Sequence, residues 1–213
     1  NRSTKTHYTR LDTRRRLEFI DDIIGSLYDS NNVNDFDYVV YTNSDIAVQP
    51  DFYDWVTDTI ISEGRTGFTL NRRDGLPQST NGSLVTGNDL DALYPMQGIY
   101  HHGHDCFVFQ KVFYRNNFTL GDLFLGYPPV GRALFEAIQR SASNFHMYNT
   151  TAAGYTFHLG REEQWKKNCG GLNTEQWWSD CIKANPLWLQ NEENFHKLKE
   201  RGLKKKKKKV HQQ

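Results

Sequence analysis

The stretch DYVVYTNSDIAVQPDFY, Asp37 to Tyr53, decides how the chain is read. Tyr38-Val39-Val40-Tyr41 is a short run of β-branched and aromatic residues, the composition of a buried strand. It stops at Thr42-Asn43-Ser44-Asp45. Ile46-Ala47-Val48 then resumes the apolar character, and Pro50 ends it. An Asn and an Asp two residues apart at the tip of a core strand have two readings. They cap a turn, as Asx side chains do by bonding their own backbone, or they hold something in front of the strand. In open α/β sheets ligands sit beyond the carboxyl ends of the strands. A carboxylate there suits a hard cation such as Mg²⁺ or Mn²⁺, which keeps further sites for substrate phosphates.

The neighbouring segments alternate between the two periodicities. Leu17, Ile20, Ile24 and Leu27 fall at helical spacing and predict a helix over Thr13–Tyr28. After Pro50, the residues Phe52, Trp55, Val56, Thr59 and Ile60 predict a second helix that stops near Gly64. TGFTLNRRD (66–74) reads as a short strand and CFVFQKVF (106–113) as a buried one. Between them lies a long polar stretch, 75–98, of the length found in lids and binding loops. Pro128-Pro129 is placed to open the helix VGRALFEAIQRSA (130–142). HMYNTTAAGYTFHLG (146–160) holds a further short strand. Helical sequence follows from Glu162, interrupted at Pro186. Strands alternating with helices predict an α/β domain.

On these residues the chain resembles the GT-A-fold glycosyltransferases, which move sugars from nucleotide diphosphates. Asn43-Ser44-Asp45 looks like a variant of their DxD motif. GHDCFVFQKVFY resembles the acceptor-side strand of that fold, and TFHLGREEQW its C-terminal metal-ligating histidine region. The resemblance runs from about Arg14 to Trp165. It implies a mixed, mainly parallel sheet flanked by helices over residues 1–165; the composition beyond it reads as a Trp-rich helical appendage over 166–203, which packs Trp177, Trp178 and Trp188, and a basic disordered tail over 204–213. The resemblance implies that Asp45 and His158 hold Mn²⁺ or Mg²⁺, and that Asn43 positions the donor or the metal. Two departures stand out. Asn43 replaces the first Asp of the motif and adds no charge, and the strand that usually opens the nucleotide pocket is not evident before the first helix.

The remaining candidates each have a plain structural alternative. His101, His102, His104 and Asp105 precede the CFVF strand, but no HExxH-type spacing supports a zinc site. Asp105 is a candidate general base on an acceptor hydroxyl, or a structural acceptor of backbone N–H groups. Asp122 is a second candidate base, more simply a turn cap. Arg72 and Arg73 are placed to contact donor phosphates by charge-assisted bonds, or form a solvated pair. His158 is a metal ligand or a buried histidine with one hydrogen bond.

Bulk properties set the compartment and the partners. The 213 residues suit one domain or one domain with a small addition. The net charge of +1 hides an asymmetry: without Lys204–Lys209, 20 basic residues face 25 acidic ones, a balance of −5. An acidic body argues against nucleic acid as a partner. The start of the chain reads as the middle of something longer, so a membrane anchor outside this stretch is compatible with it. Sequons at Asn1, Asn81, Asn117 and Asn149, and a Cys169–Cys181 pair able to bridge, lean towards the secretory pathway and Golgi lumen; the cytoplasm is the alternative. The expectation is a metal-dependent glycosyltransferase acting on a nucleotide-diphosphate sugar and a glycan or other hydroxyl acceptor. A sugar-nucleotide or glycan-binding module without catalysis is its rival, and a hydrolase built on the histidine cluster is a third reading.

Overall fold

The structure, a computed structural model, describes residues 7–8, 16–27, 37–74, 99–116, 119–148, 154–159, 179, 181–183 and 185–210. In chain order the elements are β1 (His7–Tyr8), β2 (Arg16–Leu17), α1 (Ile20–Ser26), β3 (Tyr38–Thr42), β4 (Ile46–Val48), α2 (Phe52–Glu63), β5 (Gly67–Asp74), β6 (Ile99–Gln110), α3 (Val112–Asn116), α4 (Val130–Ser141), β7 (Phe145–Tyr148), β8 (Thr156–His158) and α5 (Pro186–Val210). They group into two units. One comprises Asn34–Asn117 and Phe135–Arg161; the other comprises Asn1–Val33, Phe118–Leu134 and Glu162–Gln213.

The first unit is a mixed α/β assembly. Its sheet has the order β3-β6-β5-β8-β4, with β7 also paired to β5. The β3–β6, β5–β6 and β4–β8 pairings are antiparallel, and β5–β7 and β5–β8 are parallel. This corrects the expectation of a mainly parallel sheet, since strand direction leaves no mark on short apolar runs. Strands β3 and β4 lie at opposite ends of the order, yet only Asn43, Ser44 and Asp45 separate them. The sheet therefore curls until its two ends meet at that turn. Ile46 N–H donates to Asn43 O at 3.1 Å, which closes the turn.

One face of this sheet packs on α2. Phe52 and Val56 of α2 join Phe68 and Leu70 of β5 and Cys106 and Val108 of β6 in a buried cluster. Register explains the choice: Phe68 pairs with Val108 and Leu70 with Cys106, so all four side chains share a face. Helix α2 ends as its sequence predicts, with Gly64 in the left-handed region at φ 62°.

In the second unit the predicted helix 13–28 is shorter than its spacing suggests. Helix α1 begins at Ile20, and Arg16–Leu17 is a strand paired with His7–Tyr8. Leu125 N–H donates to Glu18 O at 3.0 Å and Ile20 N–H to Leu123 O at 3.0 Å, so this backbone is committed to a neighbouring chain segment rather than to a helical turn. Helix α4 opens after the proline pair, as expected, with Ala133 N–H bonded to Pro129 O at 2.9 Å. Helix α5 starts at Pro186 and continues through the lysine run to Val210, where a disordered tail was expected; lysine is a good helix former. The stretch 75–98, the four sequon asparagines, Cys169, Trp177 and Trp178 lie outside the described residues. Cys181 is buried and packs against Trp188.

Candidate functional site

The turn Asn43-Ser44-Asp45 and the strands it joins bring five of the sequence-predicted residues, Asp45, His158, Asn43, Asp105 and Arg72, into two adjoining groups. The first is Asp45 with His158. Strands β4 and β8 pair in register Ile46↔His158, which places Asp45 one step beyond, beside Leu159. Leu159 N–H donates to Asp45 O at 2.7 Å, and Asp45 Oδ2 lies 3.1 Å from His158 Nε2. His158 is the buried member, with 9% of its side chain exposed, and Asp45 the open one at 47%. A carboxylate oxygen and an imidazole nitrogen thus face each other at the rim of the sheet. The carboxylate suits Mg²⁺ or Mn²⁺ and the imidazole a first-row transition ion, so the mixed pair suits a divalent ion of that row whose other positions are filled by phosphate oxygens and water. Among the described residues no third His, Cys, Asp or Glu joins them.

The second group is Asn43, Asp105 and Arg72. Asn43 follows the last β3–β6 pair, Thr42↔Cys106, and its N–H bonds to Asp105 O at 3.4 Å. Its side-chain Nδ2 donates to Asp105 Oδ1 at 2.7 Å, and Arg72 Nη1 donates to Asp105 Oδ2 at 2.6 Å. Both carboxylate oxygens are therefore engaged. Asp105 is buried, and the Arg72 and Asp105 side chains are each 11% exposed. A bulge makes this arrangement possible. Leu70 pairs with Cys106 but Asn71 pairs with His104, so Asp105 is the extra residue in β6. Such bulges bend the strand and re-aim a side chain. A second shift follows between Asn71↔His104 and Arg72↔His101. Gly103 lies there, and a Cβ on it would stand 2.8 Å from His101 Nδ1 and 3.2 Å from Asp105 Oδ2.

Arg73 does not share this group. Successive strand residues point to opposite faces, and its guanidinium lies against Gly154, where a Cβ would meet Nη2 at 3.0 Å. Asp122 belongs to the other unit, where its carbonyl accepts from Asn194 Nδ2 at 2.8 Å. The histidines do not form a metal cluster. His101 Nδ1 accepts from Gly103 N–H at 2.8 Å, and His102 is exposed. The His104 ring stacks on Phe135 at 4.8 Å with Nδ1 3.3 Å from Thr69 Oγ1. Burial pushes the His104 pKa below its ordinary value, so this ring is neutral at pH 7. The Tyr41 phenol is pushed up to about 12, by burial first and by the charge of Asp105 second.

Sequence reasoning missed the bond between Asn43 and Asp105 and the service of Arg72 to the same carboxylate. One signal was available: a glycine inside a strand pattern, here in HHGHD, marks a bulge or a close approach. No helix among the described residues is long and apolar enough to cross a membrane. No family model matches the chain, and neither a curated protein nor a solved structure does.

Proposed function

We propose that the chain binds a nucleotide-diphosphate sugar through a divalent cation at Asp45 and His158 and transfers the sugar to a hydroxyl acceptor. The observation that carries this reading is the 3.1 Å approach of Asp45 Oδ2 to His158 Nε2 across the β4–β8 pair. Mn²⁺ or Mg²⁺ held there would neutralise charge on a departing diphosphate. The chain's own residues do the rest. Asp45 faces solvent and can reach an incoming group, while His158 is fixed beneath it. Asn43 stands at the same turn and positions donor or metal.

One observation favours the second reading, a sugar-nucleotide or glycan-binding module on the same fold. A general base needs an accessible lone pair within reach of the acceptor. Asp105, the expected base, has both oxygens engaged and little exposure.

The test is titration calorimetry of a panel of nucleotide-diphosphate sugars with Mn²⁺ and with chelator, joined to release of nucleoside diphosphate with and without acceptor. Binding that needs Mn²⁺ and fails in Asp45→Ala and His158→Ala supports the site. Acceptor-dependent release makes the protein a transferase, and binding without release makes it a module. Undiminished donor binding in chelator overturns the metal reading.

A further inference from the structure

The first residue of the strand-tip motif is an asparagine where a second carboxylate would give a cation more charge. The reason lies 62 residues away in sequence, in β6. Asn43 Nδ2 stands 2.7 Å from Asp105 Oδ1. An aspartate at 43 would set two carboxylates at that distance, with Arg72 already bonded to the other oxygen of Asp105. Like charges so close cannot both ionise without strong cost. An asparagine removes the conflict by donating.

The same bond fixes which way the amide faces. A carboxylate accepts only, so Asn43 must turn its NH₂ to Asp105. The remaining polar atom of that side chain is then Oδ1, an acceptor on an exposed residue two positions from Asp45. We infer that Asp105 is a positioning residue: held by Arg72, it orients the Asn43 amide so that Oδ1 joins Asp45 and His158 as a third donor to the cation. The inference rests on the metal reading proposed above. It assigns Asp105 a role through Asn43 rather than at an acceptor hydroxyl.

Exchanging the two residues tests it. In Asp105→Asn alone, Arg72 loses its counter-charge, and the Asn43 amide turns over to accept from the new NH₂, presenting its own NH₂ in place of Oδ1 to the cation. In Asn43→Asp alone, two carboxylates collide. In the double variant Asn43→Asp/Asp105→Asn, the new amide donates to residue 43 and accepts from Arg72, so every partner is restored with the charge unchanged. Two readouts are needed. Thermal unfolding of the metal-free proteins measures the pairing itself: each single variant melts lower than wild type and the double variant recovers. Mn²⁺ affinity by calorimetry measures the positioning. Asp105→Asn should weaken it ~10-fold or more, the usual effect of removing a partner that orients a metal ligand, and the double variant should bind at least as tightly as wild type.

Additive losses in the double variant overturn the pairing. Wild-type Mn²⁺ affinity in a destabilised Asp105→Asn protein overturns the positioning role and leaves Asp105 structural. If the wild type binds no Mn²⁺, the third-donor assignment and the metal reading fall together, whereas recovery of melting in the double variant still establishes the pairing.

Discussion

At the scale of single residues, the site is organised around one buried carboxylate. Asp105 accepts a guanidinium and an amide at 2.6 and 2.7 Å with its side chain 11% exposed. Burial of that degree decides the energetics. An exposed ion pair contributes ~0–1 kcal/mol, while breaking a buried one from one side costs ~3–5 kcal/mol, because a desolvated charge is left behind. Arg72→Met should therefore lose several kcal/mol in urea denaturation. Arg72→Lys, which keeps the charge but not the planar fork, should lose less. A loss below ~1 kcal/mol for Arg72→Met would place the pair in the solvated class and would remove the argument that Asp105 is held rigidly. The Asp45–His158 pair sits at the opposite extreme. Asp45 is about half exposed, so Asp45→Asn should leave folding nearly unchanged and act on cation binding alone, readable as equal melting temperatures without Mn²⁺ and a lost shift with it. A melting loss without Mn²⁺ as large as that of Arg72→Met would mean that Asp45 is structural.

At the scale of elements, the end of α2 is fastened to β7 by a polar network. Tyr148 Oη donates to Glu63 Oε2 at 2.6 Å, Arg65 Nη2 donates to the same oxygen at 2.6 Å, and Arg65 Nη1 donates to Asn144 Oδ1 at 2.7 Å. The Tyr148 hydroxyl first, and Arg65 second, hold the Glu63 carboxyl below its ordinary pKa. A carboxylate depressed in the folded state adds stability that is complete above its unfolded pKa of about 4.3 and is lost as pH falls through the folded value. Glu63→Gln should accordingly lower the melting temperature at pH 6, with the difference from wild type shrinking progressively as pH falls below about 4.3. The effect is small because Glu63 is 41% exposed. A difference that persists unchanged at pH 3 would show that the carboxylate charge is not what fastens the helix. Elements with their own periodicity and punctuation were legible in the sequence: β3 from Tyr38-Val39-Val40-Tyr41, α2 from its apolar spacing and Gly64. Elements fixed by partners were not. The spacing through Leu17 and Ile20 reads as one helix, yet the backbone at Glu18 and Ile20 bonds to Leu125 and Leu123. Strand β6 extends back to Ile99 through His101 and His102, residues whose polarity hides a strand. The site was legible as a set of residue types, but its pairing depends on register and on a bulge, and neither is written in local composition.

At the scale of the whole molecule, the two units are interleaved in sequence. The second unit draws on Asn1–Val33, Phe118–Leu134 and Glu162–Gln213, so its parts meet only through long-range contacts. Among the side chains that tie them, Asn191 of α5 fastens that helix to the 118–134 segment. It is fully buried, its Oδ1 accepts from Phe124 N–H at 3.1 Å, and its Nδ2 donates to Phe124 O at 2.9 Å and Tyr127 O at 3.1 Å. One amide thus satisfies three backbone groups, and Phe124 itself bridges to Phe19. A buried backbone group left without a partner costs ~1–3 kcal/mol. Asn191→Leu preserves volume and burial, so a core that needed only apolar filling would accept it. The bonding predicts the opposite: a loss of roughly 3 kcal/mol or more, from three orphaned groups, and faster hydrogen exchange at the Phe124 amide. Asn191→Asp separates the two halves of the role, because it keeps the acceptor for Phe124 N–H but loses the donor to the two carbonyls. It should therefore protect the Phe124 amide better than the leucine variant while remaining less stable than wild type. Unchanged exchange at Phe124 in Asn191→Leu would mean that the segment is closed by packing, with Trp188 and Phe195 of the same helix as its anchors.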